Sequence, residues 1–170
     1  MLRLLLREHD LEQGAILLNG ISIKHYRLED LRSLIGYVPQ DQILFAMTIR
    51  ENVAFSDPQI QEEEVMKALR TCGVYEDILA MPDQMETVLG ERGVSLSGGQ
   101  KQRLAVATAI LSRKKILIFG EPTSGLDYRH MMEVISLLKE LGKEEHIILV
   151  VSHDIEFINA TCTNIFSLQP

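Results

Sequence analysis

Short, wholly apolar runs alternate with amphipathic stretches in the second half of the chain. The runs 116–119 and 147–151 contain only hydrophobic residues, and a helical pattern over 128–141 separates them. Such runs are typical of parallel strands that are buried on both faces and joined by helices, so the predicted fold class is α/β. The other elements predicted here are a helix over about 100–112, a helical turn beginning near Asp154 and a strand starting over 164–168.

The first half of the chain predicts shorter elements. Val65, Met66 and Leu69 fall on one face of an amphipathic helix over 61–72. The whole of 1–170 is expected from its length to form one domain. The other predicted elements are the end of a helix at 2–7, a hairpin of strands 15–18 and 21–23 around Asn19-Gly20, a helix at 28–33, a strand at 35–38, a helical turn at 48–54 and a helix at 75–80.

Composition narrows the possible function classes. A formal net charge of −7 argues against a general nucleic-acid binder, because no basic excess is present to neutralise phosphates. Cys72 and Cys162 lack metal-ligand spacing and are expected to be free thiols. No apolar run approaches the roughly 18 residues that a membrane span needs. The histidines without a motif context, which are predicted to be surface residues, are His9, His25, His130 and His146.

The stretch 95–103 has the features of a helix start that binds an anion. Ser97 is a good N-cap, and Gln100 stands three residues later, where a capping-box partner belongs. Gly98 and Gly99 carry no side chains, so a ligand can approach the backbone N–H groups closely. These features alone leave two interpretations open, a phosphate site and an ordinary capped helix with a glycine loop.

Reactive side chains follow both apolar runs. Glu121 comes shortly after the first run, and Ser152-His153-Asp154 come directly after the second. Ligands of parallel sheets bind beyond the carboxyl ends of the strands. We therefore expect these side chains to converge on a ligand.

Five segments together resemble the ATPase domain of ATP-binding cassette (ABC) proteins. They are Tyr37-Val38-Pro39-Gln40 (Q-loop), Leu96-Ser97-Gly98-Gly99-Gln100 (signature), 116–119 followed by Gly120-Glu121-Pro122 (Walker B), Ser124-Gly125-Leu126-Asp127 (D-loop) and Val151-Ser152-His153-Asp154 (switch histidine). They occur in the family's order and extend over nearly the whole chain. The resemblance implies a partial ABC ATPase fold over 1–170, with a mostly parallel sheet flanked by helices. It also implies a helical subdomain over about 58–112 that contains the X-loop and the signature, the remainder being an α/β core.

Two further segments are similar to those of ABC exporters. They are residues 87–93, which resemble the X-loop, and residues 48–53, which follow the Q-loop. The resemblance implies coupling to the transmembrane domain of an exporter through the surface around Gln40 and Glu91, at the cytoplasmic face of a membrane. A recombination or chromosome-maintenance ATPase is the alternative family, but it would need a long coiled-coil insertion between the Q-loop and the signature, and the sequence has none there.

The resemblance also implies roles for individual residues. The implied catalytic residues are Glu121, which would orient or deprotonate the attacking water, His153, which would bind the γ-phosphate, and Gln40, which would bridge Mg²⁺ and water. ATP would be held between two ABC ATPase domains in a head-to-tail dimer. The residues of this chain implied to bind the nucleotide are Ser97, Gly98, Gly99, Gln100 and Asp127.

The chain departs from the family pattern in two places. It contains no Gly-x-x-x-x-Gly-Lys-[Ser/Thr] phosphate loop (Walker A), and Gly120 stands where the family has a magnesium-binding aspartate. We therefore expect the sequence to be a truncated form of the domain, shortened before Met1 and after Pro170. Three hypotheses follow: an ATPase-domain fragment of an exporter, a non-catalytic partner that donates its signature in trans to another subunit's nucleotide, and an inactive remnant.

Overall fold

The computed structural model describes residues 2–41, 43–55, 57, 59–90, 94–124, 126–143 and 146–167. Within these ranges, no helix is long and apolar enough to cross a bilayer. The fold is α/β, as predicted. The elements in chain order are α1 (Leu2–Leu5), β1 (Leu17–Leu18), β2 (Ile21–Ser22), α2 (Leu28–Ser33), β3 (Ile35–Val38), α3 (Ile49–Val53), α4 (Glu62–Thr71), α5 (Tyr75–Leu79), α6 (Gly98–Leu111), β4 (Ile116–Gly120), α7 (Tyr128–Leu141), β5 (Ile147–Val151) and α8 (Ile155–Thr161), with 3₁₀ helices at Ile23–His25 and Gln84–Glu86.

A parallel sheet with the strand order β3–β4–β5 forms the centre of the fold. Ile116 of β4 pairs with Ile35 of β3 on one side and with Ile147 of β5 on the other. The central strand is buried from Leu117 onward, which is why a run of apolar residues forms it. Because the three strands run in the same direction, the residues that follow them meet at one edge of the sheet.

Helix α6 is held in place by core packing. It packs against α3 and α4 and against β3. Leu104, Val106 and Ala107 on this helix are fully buried in the main hydrophobic core. Burying one leucine side chain stabilises the fold by about 1.5–3 kcal/mol, so α6 is anchored strongly and its N-terminus is fixed in position.

The buried Arg103 ties α6 to two neighbouring helices. Its Nη1 atom donates to the backbone oxygen of Gly73 at 3.2 Å and to the Glu133 carboxylate of α7 at 2.8 Å. Its Nη2 atom lies 3.5 Å from the Asp77 carboxylate of α5. A buried guanidinium is costly unless it is paired, so these partners fix the orientation of α6 relative to α5 and α7.

Both cysteines are free thiols, as predicted. Burial raises the pKa of the Cys72 thiol to about 12. Burial also raises the pKa of Cys162, which is half-buried. Neither thiol is therefore activated as a nucleophile.

The predicted hairpin forms with shorter strands than expected. Asn19 and Gly20 have φ angles of +51° and +77°, the left-handed values that a tight two-residue turn requires. Leu17 and Leu18 pair with β2, and just beyond this pairing the Ile23 N–H donates to the Ile16 backbone oxygen at 2.9 Å. The backbone leaves the extended conformation after β2 because Ile23 begins a 3₁₀ helix.

Two expectations about strands are wrong. Residues 164–167 form no strand, and Phe166 is 89 % exposed, so this segment lacks the pairing partner that a strand requires; residue 168 lies outside the described residues. Strand β5 is not buried on both faces, because Ile147 is 56 % exposed. The reason is that β5 is an edge strand of the sheet as described.

Candidate functional site

Glu121 and His153 meet at the carboxyl edge of the sheet, where β4 and β5 end. The Nδ1 atom of His153 lies 3.0 Å from Oε1 of Glu121, and the Ser152 hydroxyl donates to Oε2 at 3.1 Å. The Glu121 side chain is 19 % exposed, whereas that of His153 is 87 % exposed. The hydrogen bond and the charge of Glu121 raise the pKa of His153 above its ordinary value of 6.5.

The backbone of Glu121 is strained. Its φ angle is +46°, a left-handed value that a side chain with a Cβ rarely adopts. The Glu121 N–H donates to the backbone oxygen of Val151 at 2.8 Å, which continues the pairing of β4 with β5 by one residue. Strain of this kind is often concentrated at functional sites, where the surrounding structure imposes it.

Gln40 lies at the same edge, after β3. Its Nε2 atom donates to the Ser124 hydroxyl at 3.3 Å. A side chain on Gly120 would begin 3.5 Å from the Gln40 backbone nitrogen. Glu121 and His153 are therefore in contact, whereas the described contacts join Gln40 to Ser124 and to the surroundings of Gly120 at the same edge. Ser124 is an additional contact that its place between Glu121 and Asp127 could have suggested.

The start of α6 has the predicted geometry. The Ser97 hydroxyl accepts from the Gln100 backbone N–H at 3.2 Å, and the Gln100 side chain accepts from the Ser97 N–H at 3.0 Å. This capping box leaves the N–H groups of Gly98 and Gly99 without partners inside the helix. Apart from its chain neighbours and the backbone of the helix itself, no described atom lies within 4 Å of the point where a Gly98 side chain would begin, so this side of the turn is open. The geometry suits a phosphate oxygen.

Asp127 lies at the start of α7 and is engaged by His130. Its Oδ1 atom accepts from the His130 backbone N–H at 2.9 Å and lies 2.8 Å from His130 Nδ1. The backbone hydrogen bond is the main cause that lowers the pKa of Asp127 below its ordinary value. The sequence predicts His130 to be a surface residue without a motif context, whereas in the structure its side chain is 37 % exposed and paired with Asp127. The Asp-x-x-His spacing, which suits a cap and its third helical residue, was the signal that could have found this pair.

The described residues at this edge of the sheet offer few ligands for magnesium. The part of the chain that the structure describes contains no group of three histidine, cysteine, aspartate or glutamate residues able to hold a metal. Gly120 offers no ligand, although a side chain there would meet only ordinary contacts of 3.5–3.7 Å. The described contacts of the Glu121 carboxylate use both of its oxygens, on Ser152 and His153. Mg²⁺ in nucleotide sites is usually held by one or two carboxylates together with substrate phosphates, so the glycine at position 120 leaves this edge with fewer magnesium ligands than the family pattern has.

Two of the predicted contact regions lie partly outside the described residues. Glu91, expected to contribute to the partner surface, lies outside the described residues, as does Gly125 of the predicted D-loop. The neighbouring Leu89 is buried, and its N–H donates to the Met47 backbone oxygen at 2.9 Å. The segment before residue 91 is therefore attached to the chain around Met47.

Comparisons with known proteins agree with this architecture. The family model described as "ABC transporter" matches residues 1–124. The chain is 41 % identical over 150 residues to "ABC transporter B family member 24, mitochondrial" of Arabidopsis thaliana, covering 88 % of this chain and 22 % of that protein. It is 43 % identical over 150 residues to "Uncharacterized ABC transporter ATP-binding protein YwjA" of Bacillus subtilis, covering 88 % and 26 %. The chain spans about a quarter of the length of these relatives.

A third relative and a solved structure are also similar to the chain. The chain is 40 % identical over 156 residues to "ATP-dependent lipid A-core flippase" of Haemophilus influenzae, covering 91 % of this chain and 26 % of that protein. A bacterial Atm1-family ABC exporter with ATP bound superposes with a TM-score of 0.86 at 34 % identity, covering 92 % of this chain and 28 % of that one. Because the family model covers most of the chain and the fold agrees, the chain belongs to the ABC transporter family.

Proposed function

We propose that the chain is the ATP-binding part of an ABC exporter that, in its complete form, couples ATP hydrolysis to transport across a membrane. The observation that carries this proposal is the start of α6. There Ser97 and Gln100 cap one another, and Gly98 is exposed at the positive end of a 14-residue helix, where the first backbone N–H groups lack helical partners. The ligand we assign to this turn is the γ-phosphate of an ATP molecule held mainly by a second ABC ATPase domain.

The carboxyl edge of the sheet supplies groups for hydrolysis. Phosphoryl transfer to water depends on positioning and on stabilisation of charge. The Glu121 carboxylate can orient or deprotonate a water molecule, and His153 can donate a hydrogen bond to a phosphate oxygen. The 3.0 Å contact between them lets each residue fix the other's orientation. In this proposal Gln40 positions the water from the end of β3.

An exposed apolar patch supports a transmembrane partner. Ile43 is 75 % exposed, Phe45 is 44 % exposed and Phe55 is 58 % exposed. The two phenylalanine rings stack with centroids 4.8 Å apart. This Phe45 patch follows Gln40 closely in the chain, so a transmembrane domain docked on it would contact the segment that leads to the site. Exposed aromatic clusters of this kind are typical of interaction surfaces.

A second candidate function rests on Gly120. Glycine at this position lacks the carboxylate that would hold magnesium, although a Cβ there would meet only ordinary contacts of 3.5–3.7 Å. The chain would then act as a non-catalytic partner, which donates its signature turn in trans while its own site is inactive. An inactive nucleotide site in this chain is compatible with an intact signature turn, because α6 and the edge after β4 are separate parts of the fold.

A mixing assay tests both candidates. The full chain is added to the purified ATP-binding domain of the Bacillus subtilis relative, and phosphate release is measured. We expect no phosphate release from the chain alone. We expect a higher rate of phosphate release from the mixture than from the relative's domain alone. Ser97→Arg, which fills the turn with a cationic side chain, is expected to abolish the increase. Ser136→Arg, at an exposed position of α7, is the matched control and should keep it.

Each other outcome has a definite meaning. No increase in the mixture contradicts donation in trans and favours the inactive remnant. An increase that both arginine variants retain would place the effect outside the signature turn. Release by the chain alone that Glu121→Gln abolishes would favour a self-contained ATPase and contradict the second candidate.

A further inference from the structure

Ser152 lies between the end of β5 and the start of α8, and its hydroxyl makes two hydrogen bonds in opposite roles. The hydroxyl oxygen accepts from the Asp154 backbone N–H at 3.1 Å, and the hydroxyl donates to Glu121 Oε2 at 3.1 Å. A serine hydroxyl carries one proton, whereas a backbone N–H can only donate. Because Asp154 supplies the hydrogen of the first bond, the serine proton is left for the Glu121 carboxylate.

The backbone of Ser152 is anchored on both sides. On one side, the backbone oxygen of Val151 accepts from the Glu121 N–H at 2.8 Å, which joins the ends of β4 and β5. On the other side, the Asp154 side chain accepts from the Phe157 N–H at 3.0 Å, and Phe157 is fully buried. The serine hydroxyl is therefore presented to the glutamate from a fixed position.

The two oxygens of the Glu121 carboxylate have different partners. Oε2 accepts from Ser152, and Oε1 lies 3.0 Å from His153 Nδ1. An ionised carboxylate can only accept, so in this contact Nδ1 carries the proton and Nε2 of the neutral ring carries none. The His153 side chain is 87 % exposed, so packing contributes little to the orientation of its ring. The position of the carboxylate therefore decides the tautomer of His153.

We propose that Ser152 is a positioning residue, whose hydroxyl holds the Glu121 carboxylate with Oε1 towards His153 and thereby keeps the ring in the Nδ1–H tautomer. This inference rests on the proposed function, because it gives Ser152 a part in preparing the two residues assigned to hydrolysis. With Oε2 anchored by the serine, Oε1 keeps its direction when the exposed imidazole turns towards a phosphate. Oε1 is then the oxygen that meets the attacking water.

NMR of the His153 ring in the full chain tests the proposal, because the chemical shifts of the two ring nitrogens report which of them carries the proton. The measurement is made at about pH 9, above the range in which histidine changes charge. We expect mainly the Nδ1–H form in the unmodified chain. In Ser152→Ala the ratio of the Nδ1–H to the Nε2–H form should fall about fivefold, the factor that one net hydrogen bond contributes. Ser152→Thr keeps a hydroxyl and should restore the ratio.

Two controls separate positioning from a merely structural role. Hydrogen exchange of the Phe157 amide reports the start of α8, and we expect Ser152→Ala to leave it unchanged, because Asp154 still caps this helix. Ser33→Ala is the matched control. It removes a serine hydroxyl of α2 that donates to the Asp30 backbone oxygen at 2.7 Å, and it should leave the tautomer ratio unchanged.

The outcomes separate this inference from the proposed function. An unchanged tautomer ratio in Ser152→Ala would overturn the role of Ser152, as would a lowered ratio that Ser152→Thr does not restore. A lowered ratio together with faster exchange of the Phe157 amide would also overturn it, since the serine would then act by holding α8. None of these results changes the outcome of the mixing assay. A mixture without increased phosphate release would contradict donation in trans while a lowered and restored tautomer ratio still supported the role of Ser152.

Discussion

His153 Nδ1 lies 3.0 Å from Glu121 Oε1, so the residue after β4 and a residue after β5 are joined across the carboxyl edge of the sheet. The contact is partly open to solvent, because the His153 side chain is 87 % exposed. It nevertheless gives the glutamate a partner that changes charge near neutral pH.

We expect the pKa of His153 to lie above 6.5 and to fall towards that value in Glu121→Gln, because the variant loses the charge that favours the imidazolium. A raised pKa in the folded state means that the pair stabilises the fold fully below the unfolded value, and that this contribution is lost as pH rises through the folded pKa. NMR titration of the His153 ring signals measures both values. An unchanged pKa in Glu121→Gln would contradict the pairing.

Arg103 and Arg129 both bind Glu133, but they differ in burial, with side chains 11 % and 86 % exposed. We expect Arg103→Ala to lower the free energy of unfolding by about 2–3 kcal/mol, since it removes a buried charge that holds three helices together. Arg129→Ala should cost at most about 0.5 kcal/mol. Urea denaturation compares the two variants. Equal losses would show that burial does not govern these ion pairs.

Gly36 and Gly120 are both buried strand glycines, but they differ in the space around them. A side chain on Gly36 would begin 2.9 Å from Leu117 Cδ2 and 3.3 Å from the Ser112 hydroxyl, whereas around Gly120 the nearest atom is at 3.5 Å. We expect Gly36→Ala to cost about 1–2 kcal/mol through overpacking. Gly120→Ala should change the free energy of unfolding by less than about 0.5 kcal/mol. Thermal and urea unfolding measure both, and a large loss in Gly120→Ala would mean that its surroundings are tighter than the spacing indicates.

Hydrogen exchange should distinguish the central strand from the edge strand. The amides of β4 lie between two paired strands, whereas β5 pairs on one side among the described residues. We expect the slowest exchange in β4 and faster exchange in β5, where Ile147 is exposed. Mass spectrometry of the exchanged chain, with peptides that separate the two strands, makes the comparison. Equal protection would indicate that a further contact covers the edge of β5.

The features predicted correctly from the sequence depend on neighbours along the chain. The capping box of Ser97 and Gln100 and the tight turn at Asn19-Gly20 each involve residues within one helical or hairpin turn. Their local chemistry decides the geometry before any tertiary contact forms. The apolar run of β4 was also sufficient to predict that strand, because a strand buried on both faces needs hydrophobic residues at every position.

The features that were missed depend on contacts between distant parts of the chain. The packing of His130 against Gly99 joins two helices whose relative position no local pattern encodes. The exposure of β5 likewise depends on what pairs with its outer edge, and an apolar run looks the same for a central and an edge strand. The predicted strand at 164–168 had the right residue types, but its described part has no partner.

The left-handed backbone of Glu121 carries a conformational cost for any residue with a Cβ at this position. Glu121→Gly and Glu121→Ala both remove the carboxylate, but glycine accepts a φ of +46° without strain. We therefore expect the free energy of unfolding to be about 1 kcal/mol higher for the glycine variant than for the alanine variant. Equal stabilities in urea would show that the backbone there is relaxed. Among replacements that remove the carboxylate, selection for heat resistance would therefore favour glycine over residues that carry a Cβ.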